Sequence, residues 1–342
     1  LLKGDFMASI IEKPFAILAN PEGKAWDFTN SVYAKLKEKE GRGLESEIKM
    51  IEVKMAHFRD GELKLKITEN VRDKICFYIH DCSLKPAEWF AQLPLVNFAL
   101  KYASAFEIID VVPYMLFSRQ DRKDESRVAI SAKVVADMIS AYANRVITLD
   151  LHAPQIQGFY SIPLDNLYSS LYAARHIFSK HPELLKEELS IMSPDAGGVP
   201  RARQFIDDIM KKYNKDARLV TGYKYRPKAG EIGDYRLLGE VKEQNVLVVD
   251  DILDSGGTLI RASKTLKDAG AKDIYAYVTH GIFTEGFEKL KPYFKKVFVS
   301  NSRNVFFDDN QFELIDLSDL FAEAIYRTAK GMSLSALFEG QL

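Results

Sequence analysis

Apolar residues fall into short uninterrupted runs, separated by longer stretches in which they recur every three or four positions. Residues 15–20, 74–80, 107–113, 145–152, 189–195, 245–251 and 273–280 are runs of the first kind, rich in β-branched and aromatic side chains. Runs without polar alternation predict strands buried on both faces, as in a parallel sheet. Residues 130–142, 166–178, 199–211 and 259–269 carry the helical period, and a last helix is predicted over 317–330. Strands alternating with helices predict crossover connections on an open sheet. The alternation occurs once before about Pro163 and again after it, with a join near residues 162–165. The expected fold is therefore α/β, two tandem doubly wound domains with mainly parallel sheets. They are expected over residues 10–163 and 164–316, followed by a helix and tail over 317–342 for which packing on either domain, the N-terminal one included, is left open.

Composition adds mostly exclusions. The chain has 342 residues, 47% hydrophobic and 28% charged, as expected for a soluble globular protein of two domains. A net charge of -1 supplies no basic field, so no nucleic-acid partner is expected. No apolar run approaches the length of a membrane span, and the opening residues lack the features of a secretory signal. No membrane association and a cytoplasmic location are the expectation. Cys76 and Cys82 have neither zinc nor CxxC spacing and read as buried thiols in a reducing compartment. There is no Walker A motif, so any nucleoside triphosphate is held by other means.

In open α/β sheets, ligands gather beyond the C-terminal ends of the strands, which makes the residues there informative. Val248 to Leu259 reads VVDDILDSGGTL. Asp254, Ser255, Gly256, Gly257 and Thr258 form a loop of small and hydroxyl residues leading into a helix, suited to one phosphate dianion. Asp250 and Asp251 are acceptors suited to the vicinal hydroxyls of a ribose. His152, after the strand at 145–152, is placed to bind a metal or a phosphate oxygen. Asp195 opens a second acidic, glycine-containing turn, SPDAGG. Arg119 lies in the charged run SRQDRKD, placed to pair with phosphates or to stack on a base. Residues 223–235 are the longest irregular stretch and a candidate flap, in which Lys224 and Arg226 alternate and so face one target. Singly, these features read as a helix cap, a core histidine and solvated turns. Together they read as one site.

The strings FRDGE (58–62), SRQDRKDESRVAISAK (118–133), LDLHAPQIQGFYSIPLDNLY (149–168), SPDAGGVPRAR (193–203), VVDDILDSGGTL, THGIF (279–283) and SLSALF (333–338) resemble the ribose-phosphate diphosphokinase (PRPP synthase) family over nearly the whole chain. The resemblance implies two phosphoribosyltransferase-like domains and Mg²⁺-dependent transfer of the diphosphoryl group of ATP to O1 of ribose 5-phosphate. It places Asp250 and Asp251 on the ribose hydroxyls, and Asp254, Ser255, Gly256, Gly257 and Thr258 around the 5-phosphate. His152 and Asp195 would hold the metal, with His152, Lys224 and Arg226 at the reacting diphosphate. Arg119, Gln120 and Asp124 would contact ATP, and Phe58, Asp60 and Glu62 would reach the adenine from a neighbouring subunit. The implied assembly is a homo-oligomer built from dimers, with a hexamer favoured and the ATP site at a subunit interface. Arg72, Ser126, Arg127, Ser333 and Ser335 match positions linked to phosphate activation and ADP inhibition. The segment 78–94 departs from the family pattern.

Overall fold

A computed structural model describes residues 13–40, 48–225 and 234–338. The first half runs β1 (Phe15–Ala19), α1 (Trp26–Glu40), β2 (Lys49–His57), β3 (Leu63–Ile67), β4 (Ile75–Ile79), α2 (Pro86–Tyr102), β5 (Glu107–Val112), α3 (Ser131–Ser140), β6 (Arg145–Leu149), β7 (Leu164–Leu167) and α4 (Ser170–Lys180). A short α5 (Glu183–Lys186) leads to β8 (Leu189–Ser193), α6 (Val199–Tyr213), β9 (Arg218–Tyr225), β10 (Asp234–Leu238) and β11 (Asn245–Leu253). The chain ends with α7 (Gly257–Asp268), β12 (Ile274–Gly281), β13 (Lys296–Ser300), β14 (Phe312–Ile315), α8 (Ser318–Ala329) and α9 (Ser335–Phe338).

Among the described residues the strands form two seven-stranded sheets of the same plan, β3-β2-β1-β4-β5-β6-β7 and β10-β9-β8-β11-β12-β13-β14. Pairing is parallel except in the hairpins β2–β3 and β9–β10. The seven apolar runs are the central strands β1, β4, β5, β6, β8, β11 and β12, and β1, β4 and β8 are buried at every position. The stretch read as a join between domains is in part a strand. Residues 164–167 pair in parallel with β6 and close the first sheet. The helix expected from residue 166 therefore starts only at Ser170.

Each half lends its last helix to the other. The strand β7 belongs to the first sheet, yet α4 packs on α6 of the second half. In the same way α8 follows β14 and packs on α1 of the first half. Phe28 meets Phe321 edge to face at 5.4 Å, and Lys39 pairs with Glu323 at 2.7 Å. One continuous core results, running from Phe15, Val32 and Leu36 through Ile177 and Phe205 to Phe321 and Ile325. Burial of this apolar surface fixes the two halves against each other.

One exchanged helix is also held by charge. Glu313 on β14 accepts from His176 Nε2 at 2.7 Å and Lys180 Nζ at 2.9 Å, both on α4, and lies 2.8 Å from Lys296 Nζ. Burial works against its charge, but Lys180, Lys296 and His176 outweigh it and hold the carboxyl well below its usual range. A depressed carboxyl contributes stability that is present above its ordinary value of 4.5 and is lost as pH falls toward the native one. Glu313→Gln is expected to lower the melting temperature by about 2–4 °C at pH 7, and the difference should shrink in acid. Equal melting curves at pH 7 would show that the cluster contributes nothing.

Candidate active site

The first doubly wound half supplies β6, and the second supplies β8, β11 and β12, to one cleft. Strand β11 carries Asp250 and Asp251 in its last turn of pairing, continuing to Leu253. Asp251 is buried, and its carboxylate is shared across the two halves. His152 Nδ1 lies 2.7 Å from Asp251 Oδ2, and Arg201 Nη1 of α6 donates to Oδ1 at 3.4 Å. Burial opposes the Asp251 charge, but Arg201 and His152 hold the carboxyl well below its usual range. Asp250 moves the opposite way, raised by burial and by the like charge of Asp251. In return Asp251 raises the His152 imidazole, through the hydrogen bond first.

The turn after β11 is shaped for an anion. Gly256 has φ +76°, a left-handed conformation that a side chain would strain, and there the chain turns into α7. Ser255 is half-buried, while Gly257 and Thr258 are exposed at the first turn of the helix, where backbone N–H groups are free to meet a phosphate. Asp254 accepts from Thr284 Oγ1 at 2.6 Å and from Arg119 Nη1 at 2.7 Å, so Arg119 bridges the halves at this point. Both bonds lower the Asp254 carboxyl. Gln120 Nε2 donates to Asp124 Oδ1 at 3.0 Å within the same exposed loop.

Asp195 follows β8 and is exposed, its Oδ1 accepting from Gly198 N at 2.9 Å at the start of α6. The hairpin β9–β10 stands beside it. Lys224 pairs in register with Tyr235, whose hydroxyl donates to Pro194 O at 2.7 Å. Gly222 makes room for that ring, since a Cβ there would fall inside the Tyr235 hydroxyl. Arg226 lies outside the described residues.

Residues 25–142 match the family model of the N-terminal domain of ribose phosphate pyrophosphokinase, and residues 164–316 match that of the phosphoribosyl transferase domain. The ribose-phosphate pyrophosphokinase of Chlorobaculum tepidum is 39% identical over 296 residues, covering 85% of this chain and 88% of its own. The chain belongs to the ribose-phosphate pyrophosphokinase family. The relative from Caldanaerobacter subterraneus is 38% identical, covering 85% of this chain and 91% of its own. The crystal structure of phosphoribosylpyrophosphate synthetase from Mycobacterium smegmatis aligns with a TM-score of 0.81 at 26% identity, over 93% of this chain and 100% of that one.

For a ribose-phosphate pyrophosphokinase, the cleft assembles most of the residues marked in sequence and leaves others outside. Phe58, Asp60 and Glu62 sit at the exposed tip of the β2–β3 hairpin, where Glu62 borders a surface cavity with Glu88, Ala91 and Leu95 of α2. Arg72, Ser126, Arg127, Ser333 and Ser335 are exposed as well, and no hydrogen bond or ion pair joins them to the cleft among the described residues. Sequence reading missed Arg201, Thr284 and Asp150. Asp150 has φ +38° and accepts from Ser169 Oγ and from Thr279 Oγ1, the latter at 2.7 Å, tying β6 to β12 just before His152. Arg201 within SPDAGGVPRAR and Asp150 within LDLHAPQIQGFYSIPLDNLY stood in strings already marked, but nothing gave their roles, and Thr284 lies just past THGIF.

Proposed function

We propose that this cleft transfers the diphosphoryl group of ATP to O1 of ribose 5-phosphate, giving PRPP and AMP, the reaction for which the family is named. The observation that carries the reading is the sharing of Asp251 between His152 and Arg201, directly before a loop shaped for one phosphate. The ribose hydroxyls donate to Asp250 and Asp251, and the 5-phosphate takes the backbone N–H groups of residues 254–258. That leaves O1 facing the side on which His152, Asp195 and the β9–β10 hairpin stand.

The donor set suits a divalent cation. Asp195, Asp250 and Asp251 all act on the single guanidinium of Arg201, and Asp250 is pushed up by burial and then by the negative charge of Asp251. Among the described residues no three His, Cys, Asp or Glu side chains form a complete cage. Mg²⁺ commonly binds in this way, with one or two protein ligands and the remainder from phosphate oxygens and water. His152 and Asp195 would hold it. When bound it supplies charge neutralisation on the polyphosphate.

The chain's own residues do the rest by placement. Arg119 exchanges Asp254 for the ATP phosphates, at small cost because an exposed ion pair is worth at most about 1 kcal/mol. Gln120 and Asp124 hold the same loop toward ATP. Lys224 and Arg226 close on the reacting diphosphate, meeting charge as it develops and excluding water that would compete with O1. Asp254, held below its usual range, is a poor base, and no proton transfer is assigned to it. Phe58, Asp60 and Glu62 are free to serve the adenine of a neighbouring subunit, which would make the working unit a homo-oligomer. Arg72, Ser126, Arg127, Ser333 and Ser335 would serve phosphate or ADP control from outside the cleft. No described helix is long and apolar enough to cross a membrane.

The test is direct. Purified chain with ATP, ribose 5-phosphate and Mg²⁺ is expected to form AMP and PRPP in equal amounts, and chelation should stop both. ADP appearing in place of AMP, or no product with all three present, would refute the reading.

A further inference from the structure

The common strand order sets up a correspondence between the halves that the pairing registers carry to single residues. Ile75 pairs with Phe15, the first residue of β1, and Asn245 pairs with Leu189, the first residue of β8. Counting onward along β4 and β11, His80 and Asp81 stand where Asp250 and Asp251 stand. Ile109 pairs with Arg145, and Tyr275 pairs with Lys296. Counting onward along β6 and β13, Arg303 stands where His152 stands. By the same register Tyr114 corresponds to His280, and these two rings meet at 4.8 Å between the halves. The molecule therefore contains the positions of its cleft twice.

In the second copy these positions border a cavity of about 410 Å³, lined by His80, Asp81, Lys24, Phe28, Arg303 and Phe306 among others. Its volume lies within the usual range for small-molecule sites. We propose that it is a second ligand site, taking a phosphorylated small molecule whose phosphate is met by Arg303 and Lys24 and whose remaining part lies against Phe28 and Phe306.

Charge carries the argument. In the cleft, Arg201 and His152 both have the Asp251 carboxylate as their partner. In the cavity, the corresponding Asp81 spends its oxygens on backbone, accepting from Lys24 N at 2.7 Å and Ser83 N at 3.0 Å. Asp316 is likewise engaged, by Asn301 and Ser318, which leaves the exposed Asp27 as the remaining lining carboxylate. Arg303 lies over the Tyr114 ring at 5.4 Å, and its Nε is buried without a hydrogen-bond partner. Neither Arg303 nor Lys24 has an ion-pair partner among the described residues. An unsatisfied donor on an unpaired cation is costly, and an anionic ligand at the guanidinium offsets that cost. The turn after β4 reads HDCSLK and lacks the glycine pair of residues 256 and 257, so side chains take the role that backbone amides have in the cleft. The aromatic wall is open, since Phe306 is 83% exposed. His80 is fixed beneath, its Nε2 3.0 Å from Asp110 Oδ1. A ligand here would touch both halves, which Asn304 already joins by donating to Ser83 Oγ and to Lys24 O.

The chain's two tryptophans report on this cavity. Trp26 opens α1 between the lining residues Ala25 and Asp27, and the Trp89 ring lies 5.8 Å from that of His80. Full-length protein is titrated with ADP, with ribose 5-phosphate and with inorganic phosphate while tryptophan emission is followed. A saturable change is expected with at least one of them, and His152→Ala should retain it. Arg303→Gln should weaken the apparent affinity about tenfold or more, and Lys24→Ala, on an exposed side chain, by about threefold. Phe306→Ala should weaken ADP alone if a base lies against it, and no ligand selectively if the site takes a sugar phosphate. No saturable change with any of the three overturns the proposal. So does a change lost in His152→Ala, or one left untouched by both Arg303→Gln and Lys24→Ala.

Discussion

Asp251→Asn is expected to lower kcat/KM for ribose 5-phosphate by about 10³-fold, the equivalent of about 4 kcal/mol. One carboxylate is asked to accept from the ribose, to hold His152 at 2.7 Å and to face the Arg201 guanidinium. Each charge-assisted bond contributes about 1.5–3 kcal/mol, and the amide weakens all of them together. The effect on folding is expected to be smaller. Asp250 loses its like-charged neighbour, its carboxyl falls back toward the ordinary range, and it takes over the compensation of Arg201. The pH behaviour follows from the signs. The depressed Asp251 contributes stability present above its ordinary 3.8 and lost in acid, whereas the raised Asp250 loses stability as pH rises through its native value. Both dependences should flatten in the variant. The His152 imidazole, raised by Asp251, should return toward 6.5, which a proton NMR titration reads directly. An unchanged histidine titration together with an unchanged response to ribose 5-phosphate would remove Asp251 from the site.

Lys224→Ala and Arg226→Ala are each expected to lower kcat by about 10²–10⁴-fold, leaving the KM for ATP within about threefold. A cation that meets charge only as the diphosphoryl group transfers stabilises the transition state and not the bound nucleotide. The base of the hairpin is already anchored, with Lys224 opposite Tyr235 and the Tyr235 hydroxyl on Pro194 O beside Asp195. The root of the hairpin is therefore fixed beside Asp195. Tyr235→Phe should give a milder loss of the same kind, because it loosens the anchor and leaves both cations. Rapid-quench measurement of the chemical step separates these effects from product release, and a chemical step of normal rate in Lys224→Ala would end the flap assignment.

Much of this protein was legible in its residues because the central strands are buried on both faces. Runs such as Phe15–Ala19 and Leu189–Ser193 need no polar alternation and stand out for that reason. The edge strands escaped, as did β2, β9 and β13 beside them. Leu63–Ile67 alternates half-buried with exposed positions, and Leu164–Leu167 is four residues with an Asp and an Asn, so neither separates from a loop by composition. The turn at 254–258 and the paired aspartates were legible because small residues, hydroxyls and carboxylates follow one another in one turn. Arg201, Thr284 and Asp150 were not, because each acts on a partner far away in sequence: Asp251, Asp254 and Thr279.

The amino-acid sequence by itself determined the duplicated α/β plan, the glycine-containing turn after the paired aspartates and the family, since these rest on local periodicity and on ordered strings of residues. Only the tertiary structure decided that Asp251 is divided between two halves of the chain and that Asp250 and Asp251 move in opposite directions. It alone decided that α4 and α8 change places, and that His80, Asp81 and Arg303 repeat the positions of the cleft around a second cavity. The physical reason is common to all four. Electrostatic and packing terms depend on distance through space, and a sequence orders distance only along the chain.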